Sequence, residues 1–152
     1  MPTTYKKGNA VDALINGEVD VLLHCCNAKG VMGSGIALEI KNRIPDAYDV
    51  YSYNHRLGST TVGQYERPDG THGYVMNMVA QESFGRSGLR YVHYGVLAKC
   101  LNCVERMSYG ITKTIGIPYK LASDRAGGDW QIVLELVEGI LGDKFDIVVY
   151  EL

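Results

Sequence analysis

The sequence predicts an α/β fold: a mixed sheet of about six strands sandwiched by helices. Three observations carry that prediction. Residues 20–26 (DVLLHCC) form a near-continuous apolar run, the pattern of a central strand buried on both faces. Short apolar runs alternate with segments of helical spacing along the rest of the chain. The 152 residues, 46% hydrophobic and 21% charged, suffice for a core flanked by two helical layers. No repeat, low-complexity tract or linker interrupts them, so residues 1–152 are expected to form a single domain.

The elements follow in order. Residues 3–6 form a strand leading to Gly8-Asn9, and residues 20–26 the central strand. A glycine-rich segment then opens a helix over IALEIKNRI, which Pro45 ends before a further helix at 46–55. Strands at 62–67 and 74–80 flank Pro68-Asp69-Gly70-Thr71, whose turn chemistry predicts an antiparallel hairpin. A polar loop (81–90) precedes a long helix at 91–107, and residues 114–117 form a short strand. A second polar loop runs to Gly128. Asp129 then stands at the N-cap of an amphipathic helix that Gly142 ends, before a last strand at 145–150.

Charge narrows the function. A net charge of −2 gives no general attraction to nucleic acid or anionic membrane, so any bound anion must be held locally. MPTTYKKGNA lacks the apolar region of a secretion signal and no stretch reaches membrane-span length, which predicts a cytoplasmic protein. Nothing in the pattern indicates oligomerisation, and a monomer is the default expectation. Cys25 and Cys26 are adjacent in an apolar run, and Cys100-x-x-Cys103 sits among Val96, Leu97, Leu101 and Val104. Those thiols are expected to be core residues, with no metal or cofactor site.

The segment Gly30-x-x-Gly33-Ser34-Gly35 lies between the central strand and a helix. Glycines let the backbone approach a ligand closely, and the first helical N–H groups have no internal partner. With the helix dipole they form an anion site suited to a diphosphate. The glycines could equally serve only the turn. A second strand-to-helix corner, from 118 to 128, lies where open α/β sheets place ligands, and its helix start offers a second set of open amides. His24 is either a core histidine or a proton carrier beneath the first loop. Asn27 either orients a ribose hydroxyl or water, or closes the loop as an Asx turn. Tyr5, Tyr119 and Trp130 are candidate stacking aromatics at the mouth, and Lys29, Lys120 and Arg125 candidate phosphate partners.

The stretches Tyr5-Lys-Lys-Gly-Asn9, Leu23-His-Cys-Cys-Asn27, Met32-Gly-Ser-Gly-Ile-Ala37, Met78-Val-Ala-Gln81, Tyr91…Leu101, Ile117-Pro118…Ala126-Gly-Gly-Asp-Trp130 and the terminal Val-Tyr-Glu-Leu152 occur in order and cover essentially the whole chain. Together they resemble macro domains, specifically the branch containing ADP-ribose 1″-phosphate phosphatases. The resemblance implies a three-layer α/β/α fold with ADP-ribose across the crest of the sheet. It places Gly8, Asn9, Ala10 and Leu152 by the adenosine, Asn27 near the distal ribose, and Gly33, Ser34, Gly35, Ile36 and Ala37 under the diphosphate. Cys25, Cys26 and Met32 are further ligand-binding positions. Lys120, Leu121, Ala122, Ser123, Asp124, Arg125, Ala126 and Gly127 form the covering loop.

Two departures matter. Relatives carry glycines in that covering loop, whereas here Lys120-Leu-Ala-Ser-Asp-Arg125 would crowd the phosphates unless the loop takes another path. Relatives that remove ADP-ribose with a lysine have it where Gln81 stands, and a glutamine cannot act as an amine nucleophile.

The leading expectation is a metal-independent phosphatase that hydrolyses ADP-ribose 1″-phosphate to ADP-ribose and phosphate. In it His24 is the nucleophile or proton carrier, Asn27 positions ribose or water, and Asp129 is a weaker acid–base candidate. The alternatives are a hydrolase removing ADP-ribose from modified protein or nucleic acid, a non-catalytic ADP-ribose reader, and a domain that has lost the site and only binds a partner.

Overall fold

A computed structural model describes residues 3–83, 91–123 and 126–152. The strands are β1 (Thr3–Lys7), β2 (Val21–Asn27), β3 (Thr60–Glu66), β4 (His72–Gln81), β5 (Thr114–Pro118) and β6 (Asp146–Glu151). The helices are α1 (Ala10–Asn16), α2 (Gly35–Arg43), α3 (Pro45–Tyr53), α4 (Tyr94–Ser108) and α5 (Trp130–Leu141). The sheet order is β1-β6-β5-β2-β4-β3. All neighbours are parallel except β3, which returns antiparallel to β4 through the Pro-Asp-Gly turn.

Side-chain alternation on β2 explains the layers. Val21 and Leu23 face the core that Leu97, Leu101 and Val104 of α4 share with Val133, Val137 and Leu141 of α5. Leu22 points the other way, to Val11 and Leu14 of α1 and Ile40 of α2, and Cys26 meets Tyr51 of α3. Both faces of the sheet are thus covered, giving three α/β/α layers. The covering is close enough on the α3 side that a Cβ on Gly63 would overlap the backbone of Ala47.

Two elements differ from the sequence reading. Helix α1 was not anticipated, although its signals are present: the Asn9 side chain accepts from the amides of Val11 and Asp12, and Gly17 closes the far end at φ 83°. Buried Arg67 then ties that end to the hairpin, donating to the carbonyls of Leu14 and Val19 at 3.0 Å each and pairing with Asp20 at 3.1 Å. Pro45 does not simply end α2. Ile44 is the break, and Pro45 is the first residue of α3, where its missing N–H costs no bond.

Candidate functional site

Parallel strands β2 and β5 end side by side, and the loops leaving them bound one cleft. One part of it, about 490 Å³, runs over His24, Cys25, Cys26 and Asn27 between the first loop (Val31 to Ala37) and the second (Pro118 to Ala122, with Ala126). Its continuation, about 600 Å³, passes Gly35, Ile36 and Tyr119 to Gly8, Asn9, Ala10, Glu39 and Leu152. Gly8, Asn9, Ala10, Met32, Gly33, Ser34, Gly35, Ile36, Ala37, Lys120, Leu121, Ala122, Ala126 and Leu152 thus come together along one trough. Ser123 and Gly127 are not among its walls: the Ser123 hydroxyl donates back to the Leu121 carbonyl. Asp124 and Arg125 lie outside the described residues.

The first loop is held from behind. Asn27 Oδ1 accepts from the amides of Lys29 (3.0 Å) and Val31 (3.3 Å), and its Nδ2 donates to the Val31 carbonyl at 2.8 Å. The buried Tyr51 hydroxyl donates to Asn27 Oδ1 at 2.9 Å. Asn27 is therefore the loop's Asx closure, and its acceptor is already spent on that task.

Helix α2 starts uncapped. Ser34 sits at the N-cap with no side-chain cap bond, and the first intrahelical bond is Leu38 N–H to the Ser34 carbonyl at 3.3 Å. The amides of Gly35, Ile36 and Ala37 precede it, at the middle of the trough. The expectation of two open helix starts is half wrong. At α5 the Asp129 carboxylate accepts from Gln131 (2.9 Å) and Ile132 (3.4 Å), so the protein blocks those nitrogens itself. Asp129 is a cap and lies off the cleft walls, which removes it as an acid or base.

His24 lies at the base of the cleft, but its imidazole is engaged within the fold. It is fully buried, with Nε2 at 2.6 Å from Asn77 Oδ1 and Cys26 Sγ 3.4 Å away. Asn77 Nδ2 donates to the Ala47 carbonyl, which turns its oxygen toward the imidazole. Burial holds His24 down at about 4, against the opposing effect of the Asn77 bond, so it is neutral at physiological pH and turned toward α3. Burial also raises the Cys25 thiol, which leaves it protonated and a poor nucleophile.

The second loop solves its crowding by conformation. Lys120 (φ 61°) and Ala122 (φ 59°) adopt the left-handed region that glycine would take for less. Leu121 folds into the core between them. The turns are closed by Leu121 N–H to Pro118 O and Ser123 N–H to Lys120 O. Tyr119 packs edge-on to Trp130 with centroids 5.4 Å apart, and Lys120 Nζ lies 5.6 Å from the Tyr119 ring. Gln81 lines the floor and donates to the Ser83 carbonyl. Sequence reasoning missed Glu39, which needed the α1–α2 contact to bring it to the trough.

No protein-family model matches the chain. A DNA ADP-ribosyl glycohydrolase of Thermus aquaticus is 29% identical over 97% of this chain, which spans 40% of that protein. An ADP-ribose 1″-phosphate phosphatase of Scheffersomyces stipitis is 33% identical over 50% of this chain and 51% of its own length. A solved macrodomain protein from Streptomyces coelicolor superposes with TM-score 0.77 at 25% identity, covering 98% of both chains. The sheet order, the three layers and the trough at the strand ends give the chain the macrodomain fold. It resembles the branch that includes the ADP-ribose 1″-phosphate phosphatases.

Proposed function

We propose that the trough binds ADP-ribose and hydrolyses groups attached at the 1″ position of its distal ribose, with the 1″-phosphate as the first substrate. The uncapped start of α2 carries this reading. Three amides without partners, at the positive end of a helix and midway along a two-ended cleft, suit a diphosphate with a nucleoside on each side. The adenosine occupies the α1 end and the distal ribose the end between Asn27 and Ala126. The curated relatives, named as hydrolases of ADP-ribosyl compounds, support the substrate class.

Among the described residues the distal end presents amides and committed side chains rather than a free base. Those amides supply positioning and charge stabilisation. Water adds to phosphorus, the bond from phosphorus to the 1″ oxygen breaks, that oxygen remains on the ribose, and the protons stay with the phosphate and hydroxyl products. Loop amides hold the diphosphate so that the ester meets the water. Calorimetric titration with ADP-ribose followed by phosphate release from the 1″-phosphate tests both halves. Absence of saturable heat sinks the binding claim, and binding without phosphate release sinks the phosphatase. A second reading, release of ADP-ribose from modified DNA, is favoured by the relative that aligns over 97% of the chain. Release of ADP-ribose from a modified oligonucleotide decides for it.

A further inference from the structure

At the α1 end of the trough the polar side chains differ in how firmly they are held. The Asn9 oxygen caps α1, and its amide nitrogen donates to Glu39 Oε1 (3.1 Å) and Oε2 (2.9 Å). The Tyr150 hydroxyl donates to Glu18 at 3.0 Å, and Glu151, whose carboxylate keeps open lone pairs, is more exposed and is held by the exposed Lys7 at 2.8 Å. Glu39 differs. Arg43 donates to its Oε2 at 2.7 Å and also pairs with Asp12 at 2.7 Å, which pins the carboxylate between α2 and α1. A carboxylate has about four lone-pair sites, and Asn9 and Arg43 use three, leaving one on Oε1. The group is half-buried, fixed in place and on the wall of the cleft.

We propose that Glu39 is the specificity residue for the base: its remaining lone pair accepts from an exocyclic amine, so the site takes a 6-aminopurine nucleotide over a 6-oxopurine one. The inference rests on the ADP-ribose reading above and adds what selects the base. A 6-oxo group placed against Oε1 sets two acceptors face to face with no proton between them. A pre-organised polar site rejects such a mispaired analogue more strongly than an apolar wall does.

The test is calorimetry with ADP-ribose and with its inosine counterpart, on the wild-type protein and on Glu39→Gln. The wild type is expected to bind ADP-ribose at least about tenfold more tightly. The Glu39→Gln amide can turn to donate or accept, and should bring the two affinities to within about threefold. Equal wild-type affinities overturn the proposal without recourse to any variant. An unchanged ratio in Glu39→Gln, with a native circular-dichroism spectrum, also overturns it and moves the selection to the backbone. Failure of the wild type to bind either compound removes the ADP-ribose reading itself, and this one with it.

Discussion

At the scale of single residues, glycine and histidine in this site make opposite demands. Gly33 is not in the left-handed region, and a Cβ there meets only Val31 Cγ1 at 3.2 Å, a side-chain tip that can shift. Gly33→Val should therefore fold normally while its branched side chain occupies the approach to the α2 amides. ADP-ribose affinity is expected to fall by about tenfold or more, read by calorimetry; an unchanged value takes the first loop out of the site. His24 predicts a pH effect on stability rather than on turnover. Its native value of about 4 lies below the ordinary 6.5, so between those values the unfolded chain takes up a proton that the native state refuses. Stability should fall as pH drops from about 6.5 to about 4, by at most about 3 kcal/mol from this residue. His24→Gln, which does not titrate, should flatten that part of the curve in urea unfolding. An equal slope in both proteins refutes the assignment.

At the scale of elements, the second loop stores strain where it walls the cleft. Lys120 is exposed and left-handed, so its conformation costs about 1 kcal/mol with little burial in return. Normally glycine is less stable than alanine in a folded chain, because it loses more backbone freedom. Here the order should invert, with Lys120→Gly about 1 kcal/mol more stable than Lys120→Ala in denaturant unfolding. The usual order would mean that the loop is not left-handed at this residue. The departure from glycine was readable in the sequence, but the response to it was not. Residue types indicate where a backbone is disfavoured. Only the anchoring of Leu121 and the Pro118 and Lys120 carbonyl bonds decide that the path is kept regardless.

At the scale of the molecule, the sheet brings two loops together and the overall charge contributes nothing. With a net charge of −2, anion binding must come from local amides. A ligand held only by the native state stabilises it. ADP-ribose at one hundred times its dissociation constant should add about 2.7 kcal/mol and raise the midpoint of thermal unfolding by roughly 5–10 °C. A midpoint that stays put at saturating ligand contradicts the proposed function independently of any turnover assay.

Local pattern alone settled the α/β class, the buried β2 run, the Pro-Asp-Gly hairpin, the Asp129 cap and the glycine loop, because each depends on neighbours a few residues apart. Roles that depend on what a side chain faces across the fold were decided by packing. His24 sits against Asn77, 53 residues away, and Glu39 against Asn9, 30 residues away, and no spacing in the sequence encodes either contact. Burial and long-range hydrogen bonding determine whether a polar group is spent or free. For that reason the tertiary structure decided that His24 is spent against Asn77 and brought Glu39 to the wall of the site.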